Sequence, residues 1–246
     1  MDAPRLSVVC PVYNEGANIG RQLDELGRSI ALPMELVIVY DLDDDDTLPA
    51  VRAKEPGLAF PVRLVKNRFG RGALNAIKTG FLEARTEAVL VVMADLSDDL
   101  RIVPEMHRLI HEEGADIVCG SRYMKGGRQI GGPPFKNFLS RLAGTSLWHL
   151  AGLPTHDVTN SFKMYRTSYL RTLEFESTGG FEIGMEAVVK AFVQGRRIAE
   201  LPSTWTDRVA GESRFRLWKW LPNYLRWYFF AFRGFGRKRP APGVLP

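Results

Sequence analysis

A chain of 246 residues, 45% hydrophobic and 25% charged, is sized for one large α/β domain or two small ones and is neither disordered nor fibrous in composition. Its two cysteines, Cys10 and Cys119, sit in apolar runs ("LSVVCPV", "DIVCGS"), which argues against a disulfide framework and for a reducing cytoplasm. The formal charge of +5 is uneven, because residues 208–246 hold nine Lys/Arg against the single acid Glu212, so that the body is mildly acidic.

The N-terminus "MDAPRLSVVCPVYNE" has no basic n-region and no long apolar h-region, so no signal peptide is expected. "LSVVCPVY" (6–13) reads as a buried strand, followed by an amphipathic helix over 17–30 with Ile19, Leu23, Leu26 and Ile30 on one face. "ELVIVYD" (35–41) reads as a second strand, with Thr47 suited to cap a short helix that has Pro49 in its first turn. "FPVRLVKN" with "GALNAIKTGFLEAR" repeats the pattern, as does "AVLVVMAD" with a helix near 101–113, and "ADIVCGSRY" closes the series. Apolar strands alternating with helices imply a mainly parallel sheet covered on both faces. Ligands bind beyond the carboxyl ends of such strands, which lines up residues 13–15, 41–46, 67–72, 95–99 and 121–123 along one rim.

The second half is less regular. "KGGRQIGGPPF" reads as a mobile loop. A helix from about 137 to 150, a strand in "DVTNSFKMY" and a helix over 182–194 follow. The tail from 217 holds many aromatics but is interrupted by Lys219, Pro222, Arg226 and Arg233, so it is too broken to span a membrane. Basic residues interleaved with aromatics suit a membrane surface, a nucleic-acid patch or an interface, and equally a C-terminal helix packed on the body with its arginines facing water.

Individual motifs are modest. Asp41, Asp43 and Asp45 mimic the start of a calcium loop, but Asp46 stands where glycine is needed and Arg52 where a bidentate glutamate is needed, so an EF-hand is excluded. Asp43 to Asp46 read as a solvated turn leading a helix, whereas Asp41 lies at a strand end. "VVMADLSDD" is a second acidic loop, suited to a hard divalent cation that also holds a diphosphate; capping of the next helix explains Ser97 and Asp98 equally well. Gly70 and Gly72 open a helix beside Arg68 and Arg71, without the Lys-Ser/Thr of a phosphate loop. Arg122, Arg208, Arg214 and Arg216 would clamp phosphate if they converged. His107 and His111, four apart on a helix, read as solvated side chains with no third ligand in sight.

The order of these pieces is more distinctive than any one of them. "VVCPVYNEGANI", the strand-aspartate turn, "NRFGRGALNA", "MADLSDD", "DIVCGSRYMKGG", "DVTNSFKMYR", "GGFEIGMEAVVKAFVQGRRIAELP" and "TDRVAGESRF" together resemble family 2 inverting glycosyltransferases. The resemblance is greatest to the polyprenyl-phosphate sugar synthases of the dolichyl-phosphate mannose synthase type. It runs over roughly residues 5–216 and implies a GT-A fold, an α/β mixed, mainly parallel sheet flanked by helices, with residues 1–216 as the catalytic domain. Residues 217–246 would form a C-terminal amphipathic helical segment on a membrane surface.

By position, the resemblance implies that Pro11, Tyr13, Glu15, Asp41, Gly70 and Ala94 line the nucleotide pocket. Asp95, Ser97 and Asp98 would hold Mg²⁺ or Mn²⁺. Arg122 and Lys136 would contact an acceptor phosphate, and Arg208 and Ser213 the donor diphosphate. Asp95, Arg122, Lys136 and Arg208 are thereby the expected catalytic set. Asp157 and Glu186 match acidic positions without a defined role. Two positions depart from the family pattern: Tyr40 stands where an aspartate is usual, and Met93 replaces the first acid of Asp-x-Asp. A thioether is a poor partner for a hard cation.

The implied reaction moves a sugar from a nucleotide-diphosphate sugar to a polyprenyl phosphate at the cytoplasmic face of a membrane, with the protein bound peripherally. Residues 125–134 are the expected lid, and no nucleic-acid partner is expected. Two other readings fit the same residues: a family 2 transferase acting on a saccharide or small-molecule hydroxyl, and a non-catalytic nucleotide-sugar-binding protein.

Overall fold

The computed structural model describes residues 3–207 and 217–236. The first half alternates strand and helix: β1 (Leu6–Val12), α1 (Gly16–Ser29), β2 (Met34–Tyr40), α2 (Thr47–Lys54), β3 (Val62–Lys66), α3 (Ala73–Glu83) and β4 (Ala88–Val91). Then come α4 (Val103–His111), β5 (Ile117–Ser121), β6 (Arg128–Ile130), α5 (Pro134–Ser146) and β7 (Lys163–Arg166). The chain continues through α6 (Thr167–Leu170), α7 (Ile183–Val193), β8 (Ile198–Pro202), β9 (Thr204–Thr206) and α8 (Leu217–Ala231).

Seven strands form one sheet in the order β3-β2-β1-β4-β7-β5-β8. Every pairing is parallel except those of β7, which runs antiparallel between β4 and β5. The strands are apolar at consecutive positions because helices cover both faces. Val9, Val37, Val89 and Ile117 face α3 and α7. Val8, Leu36, Leu90 and Val118 face α1 and α4. Gly80 lets α3 lie close on β1, since a Cβ there would come within 2.1 Å of Val9 Cγ1. Both cysteines are free and buried.

The segment read as a mobile loop is partly ordered. Gln129 pairs with Trp205 at the centre of a small parallel ladder between β6 and β9, and Asn137 Nδ2 donates to Gly131 O at 2.9 Å. The glycines that suggested looseness supply turns with positive φ at Gly126, Gly131 and Gly132. The tail helix continues through Pro222. Its Trp227 and Ala231 are buried in the core that α7 shares, and Trp227 Nε1 donates to Ser177 Oγ at 2.9 Å. Among the described residues, no helix is long and apolar enough to cross a membrane.

Candidate active site

The carboxyl ends of β1, β2, β4 and β5 open onto a single cavity of about 870 Å³. Its wall includes Pro11, Tyr13, Glu15, Asp41, Ala94, Asp95, Ser97, Arg122 and Lys136, so nine of the expected site residues converge. Gly70 is absent from that wall, where the neighbouring Arg71 and Gly72 stand instead; with φ at +90° Gly70 shapes the turn that delivers them. Asp98 is also absent from the wall. Arg208 and Ser213 lie outside the described residues.

Asp41 is held in place from two sides. Its Oδ1 accepts from Asn67 Nδ2 at 2.8 Å and its Oδ2 from the Gly72 N–H at 2.9 Å. Thr79 fixes Asn67 in turn, donating to its Oδ1 at 3.0 Å. A carboxylate so oriented keeps lone pairs for ligand N–H donors.

Asp95 follows β4 and is 6% exposed. Its Oδ1 accepts from the Ser97 N–H at 3.2 Å across Leu96, which is held at φ +62°. A leucine in the left-handed region is costly and marks a turn whose shape the surroundings impose. Asp98 turns back, its Oδ2 accepting from the Met93 N–H at 3.3 Å. Burial, and then the nearby Asp95 charge, push the Asp98 carboxyl up to about 7. Met93 is partly buried, packs on the core and lines the cavity.

Arg122 comes off β5 and is set by buried partners. Nε donates to Asp157 Oδ2 at 2.6 Å and Nη2 to Asp157 Oδ1 at 2.8 Å, Ser140 Oγ at 3.0 Å and Thr159 Oγ1 at 3.2 Å. Burial raises the pKa of Asp157, but the Arg122 charge and its hydrogen bonds overcome this and hold the carboxyl low. Arg122 lines the cavity, and its guanidinium lies over the Tyr123 ring with 4.8 Å to the centroid. Lys163, fully buried on β7, donates to Val158 O at 3.2 Å beneath the Arg122–Asp157 pair.

Asp157 and Glu186 thus acquire structural places. Glu186 is buried and accepts from the N–H groups of Glu176 (2.7 Å) and Ser177 (2.9 Å), with an ion pair to Lys190 at 2.8 Å. Glu182 likewise accepts from Gly179 and Gly180 at 2.7 and 2.6 Å. Neither Asp157 nor Glu186 reaches the cavity wall.

The same cavity wall includes the apolar side chains of Leu139, Leu142, Phe181, Met185, Leu221 and Leu225 with Trp220, Tyr224 and Tyr228. These come from α5, α7 with the preceding Phe181, and α8, and a hydrogen bond of 3.0 Å between Ser146 and Tyr228 ties α5 to α8. Sequence reading missed this wall, although the aromatic content of the tail was its signal. The placing of Ser140 and Thr159 in the cavity wall as partners of Arg122 had none.

Two further expectations need correction. The acidic turn is not uniformly solvated: Asp45 is 2% exposed, because its carboxylate accepts backbone N–H bonds from Asn14 and Thr47. His107 is buried as well, and the Nε2 atoms of His107 and His111 are both buried without a partner.

Comparison with known proteins places these features. Residues 7–174 match the model of glycosyl transferase family 2. The dolichol-phosphate mannosyltransferase of Pyrococcus furiosus is 29% identical over 227 residues, covering 90% of this chain and 62% of that protein. This chain therefore spans less than two thirds of that relative. The polyprenol monophosphomannose synthase of Mycolicibacterium smegmatis is 28% identical, covering 85% of this chain and 80% of the relative. Among solved structures, glucosyl-3-phosphoglycerate synthase from Mycobacterium tuberculosis, with Mn²⁺ and uridine-diphosphate-glucose, superposes with a TM-score of 0.69 at 16% identity. It covers 96% of this chain and 81% of that one, a likeness that establishes the GT-A fold. With its family model matched over most of the catalytic sheet, the chain belongs to glycosyl transferase family 2.

Proposed function

We propose that this chain transfers a sugar from a nucleotide-diphosphate sugar to the phosphate of a polyprenyl phosphate, with inversion at the anomeric carbon. The observation that carries the reading is a single cavity whose wall combines the polar residues Asp41, Asp95, Arg122 and Lys136 with apolar side chains from α5, α7 and α8. A molecule with a charged head and a long hydrocarbon tail matches both kinds of lining. The names of the mannosyltransferases to which the chain is similar point the same way.

In this reading Asp41 receives N–H groups of the nucleotide base, beside Pro11, Tyr13, Glu15 and Ala94. Arg122 and Lys136 position the acceptor phosphate. Arg208 and Ser213 serve the donor diphosphate. A phosphate monoester has a second pKa of about 6, so at neutral pH it is a nucleophile that needs alignment more than deprotonation. Asp157 and Glu186 are committed to buried partners, which leaves Asp95 and Asp98 as the carboxylates that could serve as the base a hydroxyl acceptor would require.

The residues at the metal position fit a site that substrate completes. Among the described residues no group of three or more His, Cys, Asp or Glu gathers, but Mg²⁺ is commonly held by one or two carboxylates together with substrate phosphates. Asp95 and Ser97 face the cavity and would hold the ion; Met93 removes one oxygen donor and Asp98 points back into the protein. When bound, Mg²⁺ or Mn²⁺ would neutralise charge on the departing diphosphate.

Residues 217–246 contact the membrane from which the acceptor is drawn, with the protein peripheral at the cytoplasmic face. Support for this comes from exposed apolar side chains outside the cavity wall: Phe229 on α8, with Phe135 and Phe138 on α5. Asp95→Asn tests the donor half, and should cut nucleotide release from donor sugar at least 100-fold, by analogy with loss of one electrostatic group at a reacting centre. Unchanged turnover in that variant would remove Asp95 from the mechanism.

A further inference from the structure

The acidic turn after β2 grips the loop after β1. Three successive backbone N–H groups of that loop each have an acceptor in the turn. Asn14 donates to both Asp45 carboxylate oxygens at 3.2 and 3.1 Å, Glu15 donates to Thr47 Oγ1 at 2.9 Å, and Gly16 donates to Asp46 Oδ1 at 2.9 Å. Asp45 and Thr47 are themselves buried, and the Thr47 N–H donates back to Asp45 Oδ1 at 2.9 Å. The acceptors are therefore fixed before any ligand arrives.

Asn14 is held at φ +53°, followed by Glu15 at φ −108°, ψ 22°. A left-handed residue followed by one near the right-handed region turns consecutive N–H groups into one concavity, an arrangement suited to an anion. Here the chain fills the concavity with its own carboxylates. Helix α1 gains a cap by the same route, because Glu15 supplies no capping side chain and Asp46 takes the Gly16 N–H instead. Gly16 permits the close approach: a Cβ there would lie 2.9 Å from Asp46 O and 3.0 Å from its Cγ.

The gripped loop is cavity wall. Tyr13, Asn14 and Glu15 line the cavity, whereas Asp45, Asp46 and Thr47 do not. We infer that Asp45, Asp46 and Thr47 are positioning residues that hold the Tyr13–Glu15 wall in the shape that receives the nucleoside half of the donor. The inference rests on the transferase reading and adds to it the residues that hold the nucleoside wall from behind.

Thr47→Val is the sharpest probe, since it keeps the shape of a buried side chain and removes the acceptor for Glu15. Thr47→Ser keeps that acceptor. Binding of guanosine and uridine diphosphates with Mg²⁺ would be measured by calorimetry, alongside amide exchange over residues 13–18. Thr47→Val should weaken the tighter of the two nucleotides about tenfold, the scale of one buried N–H left unsatisfied. It should also speed exchange at Asn14–Gly16 while β5 exchange stays at the wild-type rate. Thr47→Ser should bind within about twofold of wild type, because its hydrogen bond survives.

If Thr47→Val does not fold, Asp46→Ala at an exposed position carries the same comparison through Gly16. A folded variant that binds nucleotide as tightly as wild type overturns the positioning role and leaves the transferase reading standing. A wild-type chain that binds neither diphosphate overturns both.

Discussion

Arg122 and Asp157 face each other through two hydrogen bonds of 2.6 and 2.8 Å, with only 10% and 0% of their side chains exposed. The pair joins β5 to the loop before β7, and through Ser140 it reaches α5. Asp157→Asn should destabilise the protein by about 3–5 kcal/mol, because it strands a buried guanidinium charge; urea denaturation reads this directly. Arg122→Lys should not be tolerated better, since one ammonium cannot satisfy both carboxylate oxygens and two hydroxyls. The Asp157 carboxyl is held below its ordinary value. Its contribution is therefore complete above about pH 4 and is lost as pH falls through the lowered folded value.

His107 sets a second, milder acid limit. Burial depresses its pKa, and the neighbouring His111 and Arg5 charges add to this, against the Arg5 carbonyl and Glu87. The fold thus favours neutral His107, while the unfolded chain takes up a proton at about pH 6.5. Stability is full above that pH, declines as pH drops through it, and levels off below the lowered folded value. His107→Leu should flatten the dependence of Tm on pH between about 7 and 5, relative to wild type.

Much of this was legible because the signals are local and periodic. The continuous apolar runs of β1, β2, β4 and β5 needed no tertiary knowledge, and strand-end residues such as Asp41, Asp95 and Arg122 followed from the rule that ligands bind at carboxyl ends. What remained hidden depends on partners distant in sequence. Asp157 is 35 residues from Arg122, and Asp45 is 31 from Asn14, so no window of sequence displays either bond. The burial of His107 escaped for another reason: its polar neighbours Glu105, Arg108 and Glu112 disguise a face that packs inward.

Trp227 shows that α8 is anchored to the body. Its ring is buried, and its Nε1 reaches Ser177. Trp227→Ala should cost about 3–5 kcal/mol of stability, the usual range for removing a large core aromatic, as read by thermal or chemical unfolding of the full chain. A loss near zero would mean that α8 does not dock as described.

The outward faces of α5 and α8 make a separate prediction. Phe138→Ser and Phe229→Ser together should reduce flotation with anionic liposomes by several-fold, since each removes exposed apolar area of a kind that drives interfacial binding. Circular dichroism should stay unchanged, because both side chains are exposed. Undiminished flotation would assign the membrane contact to another surface.

The most direct test of the central proposal compares acceptors. The full chain would be incubated with a panel of radiolabelled nucleotide sugars, Mg²⁺ or Mn²⁺, and either a short polyprenyl phosphate or the matching polyprenol, with saccharide acceptors as a third arm. The account predicts label in an organic-soluble lipid phosphate sugar with the phosphate alone. Label transferred to the polyprenol or to saccharide hydroxyls, with none on the polyprenyl phosphate, would contradict it.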